Sequence, residues 1–145
     1  MSGALATSRA SDRAGPGRQS RRPIKLMIVD DSMIARAVLS RMIDADANFE
    51  IAAIAGTAED AIEALGQVMV DIVLLDWNMP VMSGMEFLKL LRQRGHSDQP
   101  KVVFCTTEND MAHIRAALEA GADEYVMKPF DRETLHIKLQ LVGVA

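Results

Sequence analysis

Residues 70–80 read Val-Asp-Ile-Val-Leu-Leu-Asp-Trp-Asn-Met-Pro. The run from Val70 to Leu75 is too apolar for the edge of a sheet and reads as a central strand, buried on both faces. Asp76 follows it directly and enters an irregular loop. Three other short apolar runs end in the same manner. Lys25 to Val29 runs into Asp30-Asp31, Lys101 to Cys105 into Thr106-Thr107, and Asp123 to Met127 into Lys128-Pro129-Phe130. If the four runs are parallel neighbours, three carboxylates, a hydroxyl and an ammonium converge on one edge of the sheet. Open α/β sheets bind their ligands at that edge.

Helix signals fill the intervals. Ser32 is placed to cap a helix reaching Ala45, in which Ile34, Val38 and Met42 recur at helical spacing as the buried stripe. Residues 50–54 form a further strand. Thr57, with Asp60 three positions on, opens a helix to Gln67, and Ser83 with Glu86 opens another. The second of these buries Phe87, Leu88 and Leu91 and stops at Gly95. Thr107 with Asp110 starts a helix ending at Gly121. A last helix from Asp131 sets Leu135, Leu139 and Val142 on one face. Five strand–helix units with short connections imply a parallel sheet covered on both faces by right-handed crossovers. The expected fold is therefore α/β: a flavodoxin-like, doubly wound (βα)5 domain with strand order 2-1-3-4-5.

The bulk properties narrow the function. A chain of 145 residues, 49% hydrophobic and 25% charged, is long enough for one core. No apolar stretch approaches the roughly 20 residues that span a bilayer, so a membrane is excluded as a partner. Residues 1–22 carry a net charge of +4, which leaves −8 on residues 23–145. An acidic body argues against nucleic acid as its partner. The Ser-, Gly-, Ala- and Arg-rich segment 1–22 is read as a disordered basic tail on a domain of residues 23–145. Cys105 is the single cysteine and sits in an apolar run, which suits a buried, inert thiol and a cytoplasmic protein. His96, His113 and His136 lie far apart and read as solvated side chains.

The chemistry rests on the four strand ends taken together. Acidic residues before a helix also serve its dipole, so Asp30-Asp31 alone does not define a metal site. Asp76 alone could close an Asx-turn. Lys128 changes the balance, because an ammonium ending a buried strand requires an anion beside it. Two carboxylates about 5 Å apart repel by roughly 3 kcal/mol at an effective dielectric of about 20. Three carboxylates against one lysine therefore raise a carboxyl pKa or recruit a cation. Oxygen-only donors favour Mg²⁺, which often bridges carboxylates to phosphate.

These residues carry a family resemblance. Ile28-Val29-Asp30-Asp31-Ser32, Leu75-Asp76-Trp77-Asn78-Met79-Pro80, Ser83-Gly84, Thr106 and Tyr125-Val126-Met127-Lys128-Pro129-Phe130 resemble the receiver domain of two-component response regulators. The likeness is greatest to the single-domain chemotaxis regulators of the CheY kind and covers residues 24 to about 142. The order 2-1-3-4-5 is itself known from those proteins, so topology and resemblance are not independent. The resemblance implies that Asp76 accepts a phosphoryl group from a histidine kinase or phosphotransfer protein. Asp31, Asp76 and the backbone carbonyl of Asn78 would ligate Mg²⁺, with Asp30 acting through water. Lys128 and Thr106 would contact the phosphoryl oxygens, and Tyr125 would change rotamer with Thr106. Asn78 and Glu108 would set the lifetime of the phosphorylated state. A downstream protein would bind the face made by the fourth helix, Tyr125 and Leu135–Leu141.

Two other classes compete. A Mg²⁺-dependent phosphatase or phosphotransferase with Asp76 as nucleophile wants a second acid two residues on, where this chain has Asn78. A flavodoxin-like cofactor binder wants a phosphate cradle after the first strand, where this chain is acidic.

Overall fold

A computed structural model of the protein describes residues 22–79, 81–94, 99–107 and 111–143. Five strands alternate with five helices: β1 (Ile24–Val29), α1 (Met33–Asp44), β2 (Phe49–Ala55), α2 (Ala58–Leu65), β3 (Ile72–Asp76), α3 (Gly84–Gln93), β4 (Lys101–Thr106), α4 (Met111–Ala120), β5 (Glu124–Met127) and α5 (Arg132–Gly143). All pairings are parallel and the order is β2-β1-β3-β4-β5, as the alternation of elements predicts. The three inner strands are buried on both faces.

Alternation along each strand feeds two cores. Met27, Val29, Val73, Leu75, Val102 and Phe104 point to one side, where Ala58 and Ala61 of α2, Phe87, Leu88 and Leu91 of α3 and Ala117 of α4 cover them. Leu26, Ile28, Ile72, Leu74, Val103, Cys105 and Val126 point to the other. There they meet Leu39 and Ile43 of α1 and Leu135, Leu139 and Val142 of α5.

Helix starts follow the expected chemistry. Ser32 and Thr57 accept from the amides of Ala35 and Asp60 at 3.1 and 3.0 Å. Ser83 and Glu86 form a reciprocal capping box. Two local expectations need correction. β3 begins at Ile72 rather than Val70, because Asp71 is engaged at the strand entrance by Lys25 and Arg22. α1 buries Leu39 and Ile43, while Ile34 is 76% and Val38 46% exposed. That helix is apolar around most of its circumference, so several stripes compete. Its rotation places Arg36, on the same face as Leu39 and Ile43, toward the sheet. At the first described position, the Arg22 guanidinium holds both carboxylate oxygens of Asp71 at 2.8 and 3.0 Å. Gly95, His96, Glu108 and Asp110 lie outside the described residues, as do residues 1–21.

Candidate functional site

The carboxyl ends of β1, β3, β4 and β5 bring Asp30, Asp76, Thr106 and Lys128 to one edge of the sheet. Parallel pairing enforces this, since strands running in one direction end on one side. Among the described residues, Asp30, Asp76 and Thr106 are the buried polar ones. Lys128 Nζ donates to Asp76 Oδ1 at 3.1 Å and to Asp30 Oδ2 at 3.3 Å. The second oxygen of Asp30 accepts from the Ser32 amide at 2.9 Å. Asp31 is exposed, yet one oxygen each from Asp30, Asp31 and Asp76 lie within 4.8 Å of one another.

Burial raises the Asp76 pKa; Lys128 pulls it down, Asp30 and Asp31 push it up again, and the net direction is upward. For Lys128 burial works downward, but Asp76 and Asp30 outweigh it and the ammonium is held more firmly than usual. The Asp30 and Asp31 carboxylates thus add to what burial does at Asp76, while Asp76 and Asp30 hold Lys128 charged. Three carboxylates grouped around one lysine leave the cluster formally short of positive charge. An all-oxygen set of this kind is consistent with a divalent metal site.

The remaining predicted residues fall around this centre. Lys128 is joined to Pro129 by a cis peptide bond, and its amide donates to the Thr106 carbonyl at 2.8 Å. Asn78 is exposed in the loop after β3. Tyr125 lies one turn of the pleat back from the edge, paired in register with Phe104, and Lys138 Nζ sits 4.7 Å from its ring centroid. Glu108 lies outside the described residues. Gly84 fixes the loop from the other side: its amide donates to the Trp77 carbonyl at 3.1 Å, and a Cβ there would collide with the Asp76 carbonyl oxygen and with Phe104. The Trp77 ring packs on Phe104 at 5.0 Å and meets His113 edge-on at 5.7 Å. Cys105 is buried and its thiol pKa is pushed up to about 12, chiefly by burial, so the thiol is inert.

Two expectations about side chains change. His136 is not simply solvated: it packs 5.7 Å from Phe49 and approaches Asp46 at 3.3 Å. Leu135 and Leu139, expected on a partner face, are fully buried core residues. Arg36, which is not among the predicted site residues, also reaches this edge. Arg36 Nη1 donates to the Asp30 main-chain oxygen at 2.8 Å. Its spacing of three and seven from Leu39 and Ile43 was the available signal, an arginine on a face that has to be buried.

A five-stranded 2-1-3-4-5 sheet with this acidic pocket at its carboxyl edge defines a class, and the response regulator receiver domain matches residues 26–140. The chain belongs to that family, whose members are phosphoacceptor switches rather than conventional enzymes and are phosphorylated by histidine kinases. The nitrate/nitrite response regulator NarP of Escherichia coli is 34% identical over 113 residues, covering 78% of this chain and 52% of NarP. The chain thus spans about half the length of that relative. A CheY homolog of Campylobacter jejuni is 32% identical over 122 residues, covering 81% of this chain and 90% of the homolog. Among solved structures, chemotaxis protein CheY4 of Vibrio cholerae matches with a TM-score of 0.75 at 32% identity, covering 83% of this chain and 98% of that one. Among the described residues, no helix is long and apolar enough to cross a membrane.

Proposed function

We propose that Asp76 is the phosphoacceptor of a receiver that signals by binding another protein in the cytoplasm, in a chemotaxis-type or kinase-network pathway. The observation that carries this reading is a buried carboxylate at a sheet edge, bonded to Lys128 and within 4.8 Å of two further carboxylates. In the transfer, the nitrogen–phosphorus bond of a phosphohistidine breaks as a bond forms between phosphorus and an Asp76 oxygen. Lys128 then holds a phosphoryl oxygen in place of the carboxylates it now bridges, and the Thr106 hydroxyl binds a second. Burial keeps competing water away from Asp76 and makes each of these hydrogen bonds stronger than it would be in solvent.

The metal that suits the all-oxygen set is Mg²⁺, which Asp31, Asp76 and the Asn78 carbonyl would hold, with Asp30 acting through water. When bound, it supplies charge neutralisation for the incoming phosphoryl oxygens. Lys128 and a dication offset the charge of the three carboxylates, so the chain needs little beyond in-line positioning. Phosphoryl charge drawn toward Lys128 and Thr106 also shifts the end of β4, and with it Tyr125 and α4, between pre-existing arrangements. The partner face is α4, β5 and α5, which expose Met111, Leu118, Ile137 and Leu141. Asn78 and Glu108 control water access to the aspartyl phosphate and so its lifetime.

Incubation with acetyl phosphate and Mg²⁺ tests the assignment. Intact mass should rise by a single phosphoryl group in the wild type and not at all in Asp76→Asn. Undiminished labelling of Asp76→Asn rejects the phosphoacceptor.

A further inference from the structure

Asp31 is the one member of the acidic trio that nothing holds by its side chain: it has no hydrogen-bond or ion-pair partner among the described residues. Asp30, by contrast, is fixed by Ser32 and Lys128. The direction of the Asp31 carboxylate is therefore set by its backbone, and above all by the peptide plane joining it to Asp30. Among the described residues, that plane has a single side-chain anchor. Arg36, one turn into α1, donates Nη1 to the Asp30 carbonyl oxygen at 2.8 Å. The Asp30 amide on the other side of the residue donates to the Ala55 carbonyl at 3.1 Å, and the Arg36 amide closes the first turn on the Ser32 carbonyl at 3.0 Å. Gly56, which follows β2, leaves the guanidinium its space. A Cβ at position 56 would stand 3.0 Å from Nη1 and 3.6 Å from Cζ.

We infer that Arg36 is a positioning residue for the metal site, aiming the Asp31 carboxylate by pinning the Asp30–Asp31 peptide, with Gly56 leaving the space for it. This inference rests on the reading of Asp31 as a Mg²⁺ ligand given above. Groups that orient a metal ligand through a second contact typically change affinity by about ten- to a hundredfold when removed. Charge alone makes the opposite demand. Arg36 is a cation near the proposed Mg²⁺ position, so deleting it would tighten Mg²⁺ binding if repulsion were its main effect. The two roles differ in sign.

Mg²⁺ alone is the probe, titrated into the full chain and followed by the fluorescence of Trp77, the only tryptophan. Arg36→Ala should shift the Mg²⁺ midpoint about ten- to a hundredfold upward with an unchanged plateau. Arg36→Lys, which keeps the charge and one donor, should recover part of the loss. Gly56→Ala should weaken Mg²⁺ in the same direction by a smaller factor in the wild-type background and have no effect in Arg36→Ala. The Gly56 variant also covers the case in which Arg36→Ala does not fold, because the crowded atom is the tip of a flexible side chain. A wild type that responds to Mg²⁺ with Arg36 and Gly56 variants that bind as well or better overturns this inference and leaves the metal reading standing. A wild type that does not respond to Mg²⁺ overturns both.

Discussion

The two edges of this sheet use aspartate in opposite ways. Where the strands begin, Asp71 precedes β3 and Asp123 precedes β5, and the two residues do the same work in two places. Asp71 accepts from the Lys25 amide of the neighbouring strand at 2.8 Å and pairs with Arg22 at 2.8 Å. Asp123 accepts from the Val102 amide of the neighbouring strand at 2.8 Å and pairs with Arg92 at 3.0 Å. Each carboxylate has one arginine and one main-chain donor, and the Asp71 pKa falls accordingly, chiefly through the Arg22 hydrogen bond. Where the strands end, three carboxylates share one ammonium and the Asp76 pKa rises. Residue type is the same at both edges; burial, together with the number of partners, decides the outcome. One edge is built to hold the fold, whereas the other keeps a charge imbalance that a proton or an incoming cation relieves. Proteins commonly give up stability at a site that has to bind or react.

If that division is correct, the largest loss of stability should come from the edge without chemistry. The Arg92 guanidinium donates to the Gly121 carbonyl through Nε at 3.0 Å and Nη2 at 2.8 Å, to Gln99 Oε1 at 2.8 Å, to the Pro100 carbonyl at 2.9 Å and to Asp123. It thereby ties α3 to the entrance of β4 and to the turn before β5. That turn needs a glycine, since Gly121 has φ of +117° and Arg92 packs directly over it. Arg92→Ala should cost about 3 kcal/mol, because it leaves half-buried carbonyls and a carboxylate without their donor. Urea denaturation measures it. A loss below about 0.5 kcal/mol, the range of an ordinary surface substitution, would break the comparison at its stronger end.

The acidic edge should respond in the opposite direction and by less. Asp31→Asn removes one repelling charge without changing shape. In metal-free buffer it should stabilise the domain by roughly 1 kcal/mol, a Coulomb estimate reduced for the exposure of Asp31. Millimolar Mg²⁺ should stabilise the wild type through preferential binding to the folded state and have little effect on the variant. Chemical denaturation with and without Mg²⁺ measures both terms. An Asp31→Asn protein less stable than wild type in the absence of metal would show that the edge holds no surplus charge.

Much of this arrangement was legible from the sequence because strand ends in a parallel sheet are a topological certainty once order is known. Asp30, Asp76, Thr106 and Lys128 each end an apolar run, so finding the strands brought these four residues to one edge. The Ser83–Glu86 box and the Phe87, Leu88 and Leu91 stripe were equally direct. The inner face of α1 was not legible, because Ile34, Val38, Leu39, Met42 and Ile43 offer several apolar stripes and only Arg36 reaching the Asp30 carbonyl separates them. The arginine–aspartate pairs were invisible for a different reason. Arg22 meets Asp71 across 49 positions and Arg92 meets Asp123 across 31, and no local periodicity encodes such distances. Asp71 itself was absorbed into the apolar run of β3, where its neighbours concealed a polar role.

The smallest effect is the one that distinguishes the edges most directly, because it concerns the sign of a pH dependence. The Asp71 pKa is lowered by folding, so between its folded and unfolded values the unfolded chain binds more protons. Stability from this group is present above about pH 4 and is lost as pH falls through the folded value. The Asp76 pKa is raised by folding, mainly through burial, so between its two values the folded chain binds more protons. Stability from this group is greatest below about pH 4 and declines as pH rises toward the folded value. The two carboxylates thus tilt the acid limb in opposite directions in metal-free buffer. Arg22→Gln should weaken the first tilt, lowering stability by a few tenths of a kcal/mol near neutrality and by nothing at pH ~3, as befits a pair open to solvent. Asp76→Asn should remove the second, so that its advantage over wild type grows from pH ~3 to ~7. Denaturation midpoints across that range give both differences. Curves of Arg22→Gln and Asp76→Asn that diverge from wild type in the same direction as pH rises would mean that the aspartates at the two edges are not opposed.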